Sequence, residues 1–210
     1  TDKSFYFKVI TALNKNSDIK TVDEDINFAL TQQANFSPTL GFSLGYYINS
    51  SSRIELVFES TNINFATKSA PFRFAENNIT QFGIRTIKRK AEIQSVMVNA
   101  YTDIIEKPTF KIFLGGGLGI GSSKIKEKSL DKFDSNISVN GVITTLPALS
   151  ASYVNKNSNT FSYALIVGTD FNVCKGFNME VAYSWKYSGR VKAQDNINNK
   201  YQGHNIGVAA

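Results

Sequence analysis

Apolar residues recur at alternate positions of this chain, a period of two rather than the 3.6 of an amphipathic helix. Over residues 39–48, Leu40, Phe42, Leu44, Tyr46 and Ile48 share one face, while Thr39, Gly41, Ser43, Gly45 and Tyr47 share the other. Asn49-Ser50-Ser51-Ser52 reads as a tight turn, after which Ile54, Leu56 and Phe58 oppose Arg53, Glu55, Val57 and Glu59. The two runs predict a hairpin. The alternation returns over 110–121, 161–171 and 177–187, and in weaker form over 5–13, 94–103 and 201–210. The pattern predicts about eight strands of roughly ten residues, the length a tilted strand needs to cross a bilayer.

The connections also alternate. Short ones fall at 49–52, 104–109 and 174–176, and long ones at 14–37, 60–91, 122–160 and 188–200. All long loops are therefore expected at one end of an up-and-down structure and all short turns at the other. Outer-membrane barrels have this asymmetry, with short periplasmic turns and long extracellular loops.

A soluble eight-stranded barrel would show the same period with its apolar face turned inward. The composition of the other face decides. It is rich in Gly, Ala and Ser, including Gly115, Gly117, Gly119 and Gly121 in one run, with scattered charges at Arg53, Glu55, Glu59, Lys111, Asp170, Glu180 and Lys186. Small residues suit a crowded lumen, and charges there can pair. Aromatics gather near strand ends, Tyr46 and Phe110 at the turn end, Trp185 and Tyr187 at the loop end, as two interfacial girdles would. The expectation is an all-β, eight-stranded antiparallel up-and-down transmembrane β-barrel, a single domain over 1–210, with lipid outside. A mean hydropathy of −0.18 is compatible with this, because lipid-facing residues alternate with polar ones. The uncharged run 135–155 carries Asn136, Asn140, Thr144, Thr145 and Pro147 and reads as loop rather than as a transmembrane helix.

Composition narrows the chemistry. With 210 residues, 42% hydrophobic and 19% charged, the chain is not disordered. A single Cys excludes an internal disulfide and any multi-Cys zinc site, and a single His argues against a His-rich metal centre. The opening Thr1-Asp2-Lys3 shows no signal-peptide pattern, as expected of a processed chain or a fragment.

The glycine run 115–121 fails both the dinucleotide and the P-loop patterns: Ile120 and Ser122 stand where the first needs Gly, and Ser122-Ser123 lacks the Lys of the second. His204 is the one imidazole a serine hydrolase would have to use, and its place in the last strand argues against that role. Glu55, Glu59, Asp103, Asp170 and Glu180 are better read as lumen partners of Lys8, Arg53, Lys111 and Lys186 than as an acid–base set. Such a lumen is plugged by its own side chains. No catalytic residue, cofactor or metal ligand is assigned, and the chain is not expected to be an enzyme. The net charge of +6 leaves two basic loop clusters as candidate binding residues: Arg85, Lys88, Arg89 and Lys90, and Lys124, Lys126, Lys128 and Lys132. Glu92, Glu127, Asp131 and Asp134 intersperse them. On a bacterial surface the available anions are lipopolysaccharide phosphates, heparan-like glycans and acidic protein segments, not nucleic acid.

With the strands placed, the chain resembles the small opacity-type surface antigens, relatives of the OmpX and OmpA transmembrane barrels of Gram-negative bacteria. The residues that carry this are Met97-Val98-Asn99-Ala100-Tyr101-Thr102-Asp103, Gly115-Gly116-Gly117-Leu118-Gly119-Ile120-Gly121 and Val181-Ala182-Tyr183-Ser184-Trp185-Lys186-Tyr187. Asn-, Lys- and Ile-heavy stretches such as Asn196-Ile197-Asn198-Asn199-Lys200 are similar to those of rickettsial surface-barrel adhesins. That resemblance implies an outer-membrane location with loops at the cell surface, outer-membrane lipid as surroundings, and a host extracellular protein such as vitronectin as partner, aiding attachment and serum resistance. Members of the family usually end in an aromatic residue. This sequence stops at Gly207-Val208-Ala209-Ala210, so the last strand is expected to be either trimmed or incomplete.

Overall fold

The computed structural model describes residues 4–23, 28–76, 79–133, 137–139, 142–144, 149–174, 177–194 and 197–210. It is all-β: β1 (Phe5–Asn16), β2 (Ile19–Asp23), β3 (Phe28–Gln32), β4 (Phe36–Tyr47), β5 (Ser52–Asn64), β6 (Lys68–Glu76), β7 (Ile79–Glu106), β8 (Phe110–Phe133), β9 (Ile137–Val139), β10 (Val142–Thr144), β11 (Leu149–Cys174), β12 (Phe177–Gln194) and β13 (Ile197–Ala209). Eight of these strands pair antiparallel around a closed ring, in the order β1, β4, β5, β7, β8, β11, β12, β13 and back to β1. The closing pair runs from Ile10–Ala209 to Asn16–Gly203. It is extended by Val9 and Ala210, whose backbones exchange hydrogen bonds of 2.9 and 3.1 Å. From Gly203 to Ala209 the last strand is thus paired along both edges.

Lipid-facing and lumen-facing positions fall as the alternation predicts. Leu40, Phe42, Leu44, Val98, Leu118, Ile120, Leu165 and Ile206 stand outward and exposed, whereas Ser43, Arg53, Glu55, Met97, Phe113, Ser162 and Asp170 are buried inside. Phe5 and Tyr46 pack at 4.9 Å near the turn end. Tyr163 stacks on Tyr187 at 5.0 Å and meets Trp185 at 5.5 Å nearer the other end.

The glycine ladder of β8 has a packing reason. Gly115 lies directly across from Tyr101, and a Cβ there would strike the Tyr101 ring, which lies over it. At Gly119 the obstacles are backbone atoms, the Val96 carbonyl oxygen and Met97 Cα. The large side chains of β7 fill the lumen only because β8 offers none at these positions.

The short turns appear where expected. Ile48 and Asn49 donate to the Ser52 carbonyl, and Asn49 Oδ1 accepts from the Ser51 amide at 2.9 Å. Lys107 donates to Phe110 across the second turn at 2.9 Å. Lys175 and Gly176 of the third lie outside the described residues.

The four long connections differ from the expectation of loops. β7, β8 and β11 run to 28, 24 and 26 residues, well over twice the length of about ten that a bilayer requires. Part of the stretch read as loop, from Leu149 onward, is strand β11 paired to β8. The β12–β13 pairing likewise continues from Arg190–Lys200 to Gln194–Ile197. The first long connection folds back as the β2–β3 hairpin, with Ile19, Phe28, Leu30 and Gln32 buried.

The alternation persists in these extensions with its phase reversed. On β7, Val96 and Val98 face out, but beyond Gln94 the apolar residues Ile93, Ala91 and Ile87 face in. On β8 the change lies between outward Ile120 and inward Ile125, and on β5 between outward Leu56 and inward Ile63. Past the lipid the outer face meets water and the inner face meets the hairpin. Ile19, Ala34, Ile63, Phe65, Ala91, Ile93 and Ile125 form one inner cluster, and Phe28, Leu30, Phe72 and Ile87 a second. A phase reversal looks like the end of a strand to any reading that follows one apolar face.

Gly119→Val is expected to abolish assembly, whereas Gly116→Val, with no heavy atom nearer than 3.6 Å to the added carbon, leaves it intact. Heat-dependent gel mobility of the refolded chain in detergent measures both.

Candidate binding surface

The lumen holds the charged residues singled out as a possible acid–base set. Lys8 Nζ lies 2.6 Å from Glu55 and 2.8 Å from Glu180. Arg53 reaches Glu180 at 2.8 Å and Asp170 at 3.6 Å, and its guanidinium sits 4.9 Å above Tyr101 and 4.6 Å from Phe113. Tyr6 donates to Glu55 at 2.5 Å. Lys186 pairs with Glu59 and donates to Ser95. Lys111 holds Asp103 and Glu106 at the turn-end rim, at 3.1 and 2.8 Å. Glu55, Glu59, Asp103, Asp170 and Glu180, the five carboxylates of that set, all have cationic partners, as charges held away from water require. The space left beside Lys8, Glu55, Tyr101 and Glu180 is about 60 Å³. A wider hollow of about 560 Å³ lies toward the turn end beside Tyr6, Tyr47, Arg53 and Asp170, so the described lumen narrows where Lys8 and Glu55 meet.

His204 has its backbone in β13, opposite Lys15 and Trp185; its side chain lies outside the described residues. Cys174 is exposed at the turn end.

The two basic clusters are not loops: they are adjacent strands of the extended wall. Strand alternation divides them. Arg89 is fully buried and pairs with Glu127, with Thr21 of the inward hairpin 3.3 Å away. Arg85 makes a two-pronged contact with Asp131 at 2.7 and 2.8 Å and lies 5.5 Å from the rings of Phe28 and Phe72. These two arginines bind the wall to its inner hairpin. Gln32 helps, its fully buried amide donating to the Ala66 and Ile87 carbonyls at 3.1 and 3.0 Å.

The lysines face the other way. Lys88, Lys90, Lys126, Lys128 and Lys132 are exposed on the outer face, and Lys124 is half-buried there. Register sets Lys88 across from Lys128, Lys90 across from Lys126 and Glu92 across from Lys124. On the far side of β8, Lys128 neighbours exposed Tyr153, and Lys126 neighbours Asn155. Among the described residues none of these six lysines makes an ion pair. Like charges directly across a strand pair repel, so the Lys88–Lys128 and Lys90–Lys126 pairings lower the stability of this face.

Sequence reasoning named the arginines and lysines together and missed what separates them. The signal was present: Glu127 and Asp131 share the four-residue spacing of Arg85 and Arg89, which antiparallel pairing converts into two ion pairs. The inner hairpin, with Thr21 and Gln32, carried no comparable signal.

No protein-family model matches the chain. A Rickettsia conorii protein named as a candidate adhesin is 28% identical over 201 residues, 89% of this chain and 74% of that protein. A similarly named Rickettsia typhi protein is 28% identical over 221 residues, covering 99% of this chain and 86% of its own length. The crystal structure of Neisserial surface protein A superposes with a TM-score of 0.53 at 17% identity, over 100% of this chain and 99% of that one, a likeness of fold. The chain is similar to rickettsial proteins named as candidate adhesins, as the sequence resemblance implied. It is an outer-membrane β-barrel whose extended end lies at the cell surface.

Arg89→Ala leaves Glu127 without its buried partner and is expected to destabilise the extension by about 3–5 kcal/mol. Lys90→Ala, on the outer face of the same strand, changes stability by less than about 0.5 kcal/mol. Hydrogen exchange of β2–β3 amides reads the difference while the membrane-spanning barrel stays protected.

Proposed function

We propose that this barrel is a surface adhesin that holds a host extracellular protein on the outer face of its extended wall. Vitronectin is the partner that the resemblance to rickettsial adhesins brings forward. The observation that carries the reading is the array of unpaired, outward lysines on β7 and β8, directed at the surroundings by two rigid paired strands. The names of the rickettsial relatives support it. Lys88, Lys128 and Lys132, with exposed Tyr153 beside Lys128, stand farthest along the strands from the lipid-facing residues and are the contacts assigned to a protein partner. An exposed aromatic amid cations offers the mixed apolar and charged contact that protein interfaces favour. Recognition is non-covalent and needs no cofactor or metal, and host attachment and serum resistance are its consequences.

The refolded chain in detergent is expected to capture vitronectin saturably in surface plasmon resonance, with affinity falling as salt rises. Changing Lys88, Lys128 and Lys132 to Gln weakens capture on the order of tenfold. Absence of capture by a demonstrably folded barrel would instead favour an envelope-integrity role, with the extension shielding the surface.

A further inference from the structure

The outer wall is graded along its strands. One row of directly paired outward residues, Phe42, Phe58, Val96, Ile120 and Phe161, is apolar. The next row outward holds Ser60, Gln94, Ser122 and Asn159, paired in the same way and neutral. Beyond it come Glu92 with Lys124, and then Lys90 with Lys126. The first two rows do not form a smooth cylinder. Together with the intervening row, which includes Glu59 and Ser95 paired to Lys186 on the lumen side, they line a concavity of about 900 Å³, with the exposed side chains of Leu40, Phe42, Ile120 and Phe161 at its outward walls. That is within the 300–1,000 Å³ typical of sites for small molecules.

We infer that this groove and the lysines above it form a site for a phosphorylated glycolipid of the outer leaflet. One acyl chain lies between Phe42 and Phe161, and its sugar phosphates meet Lys90, Lys124 and Lys126. The distances agree. Lys124 and Lys126 stand four and six residues beyond Ile120, about 13 and 20 Å along the strand. Strand tilt shortens that rise, and lysine stems reach down toward an interface.

Charge selects the headgroup. Lys90 and Lys126 face each other directly, with Lys124 two residues nearer the apolar row on β8 and Glu92 across from it. Cross-strand neighbours are about 5 Å apart and same-face neighbours about 7 Å. Three ammonium groups so close call for more than one negative charge, which a glycolipid bearing two phosphates supplies and a zwitterionic phospholipid does not. The wall is also continuous with the lipid-facing surface, so an anchored anion reaches it without leaving the membrane. A soluble sulfated glycan would satisfy the charges and leave the groove without a role.

The proposal stands apart from the adhesin reading, which uses Lys88, Lys128 and Lys132. The test is retention of lipid A by the refolded chain in detergent, measured by native mass spectrometry with bisphosphorylated and phosphate-free lipid A as probes. The folded wild type is expected to prefer the bisphosphorylated form by about tenfold or more. Replacing Lys90, Lys124 and Lys126 by Gln removes that preference, and Ser122→Trp, which fills the groove, lowers retention of both forms. Replacing Lys88, Lys128 and Lys132 leaves lipid A retention unchanged while weakening protein capture. Equal retention of the two forms by the wild type overturns the proposal without any variant. It is also overturned by an undiminished preference in the Lys90, Lys124 and Lys126 variant, or by complete displacement of lipid A with acyl-free heparin.

Discussion

Hydrocarbon offers no partner to a backbone amide or carbonyl, and that constraint organises everything else in this molecule. A strand with an open edge cannot stay in lipid, so β13 must return to β1, and the ring of eight closes. Closure at this strand number leaves a lumen only as wide as its own side chains. Charges placed there have no bulk water to fall back on, which is why Lys8, Arg53 and Lys186 each meet a carboxylate. The aromatic residues that pack beside them, Tyr101 above all, need space that β8 supplies by presenting Gly115 where another strand would carry a side chain.

The same strands continue past the membrane, and the solvent change reverses which side must be apolar. Within lipid the outside is greasy and the inside polar. Beyond it the outside is wet, and the inner face is apolar wherever something dry packs against it. The β2–β3 hairpin provides that dry surface, bringing Ile19 and Phe28 against Ile63, Ile87 and Ile125. The wall would otherwise expose those residues to an aqueous mouth. Arg89 and Arg85 then belong to the inner layer by parity alone, and they are held where an ion pair also ties adjacent strands together.

This reversal sets the limit of what the sequence discloses. Transmembrane segments were legible because their outward positions form unbroken apolar ladders, as in Leu40 to Ile48, and the lumen pairs were legible from the charges left on the other face. The barrel's closure and the inside–outside assignment followed. The extensions were not legible as strands, because Lys88, Lys90, Lys126 and Lys128 occupy the face that Val96 and Ile120 had marked as apolar. A polar alternating run next to a glycine-rich one reads as a loop. Division of the basic residues follows from parity once the extensions are known to be strands, and the register adds that Arg85 meets Asp131 while Lys88 meets Lys128. The groove was beyond sequence reasoning altogether, since its concavity depends on how five strands curve together.

Building the extracellular end from long paired strands instead of free loops has a thermodynamic consequence for recognition. A disordered loop must be ordered when it binds, at a cost taken from the contact energy. Lysines on β7 and β8 have that cost met in folding, by ladder hydrogen bonds and by the inner clusters. Their mutual repulsion is likewise fixed in advance, held by strands that cannot drift apart. An anion that settles between Lys90 and Lys126 relieves repulsion as well as gaining attraction, and no rearrangement of the wall is needed to admit it. The rigidity that closes the barrel in lipid thus extends to the surface where the protein meets other molecules.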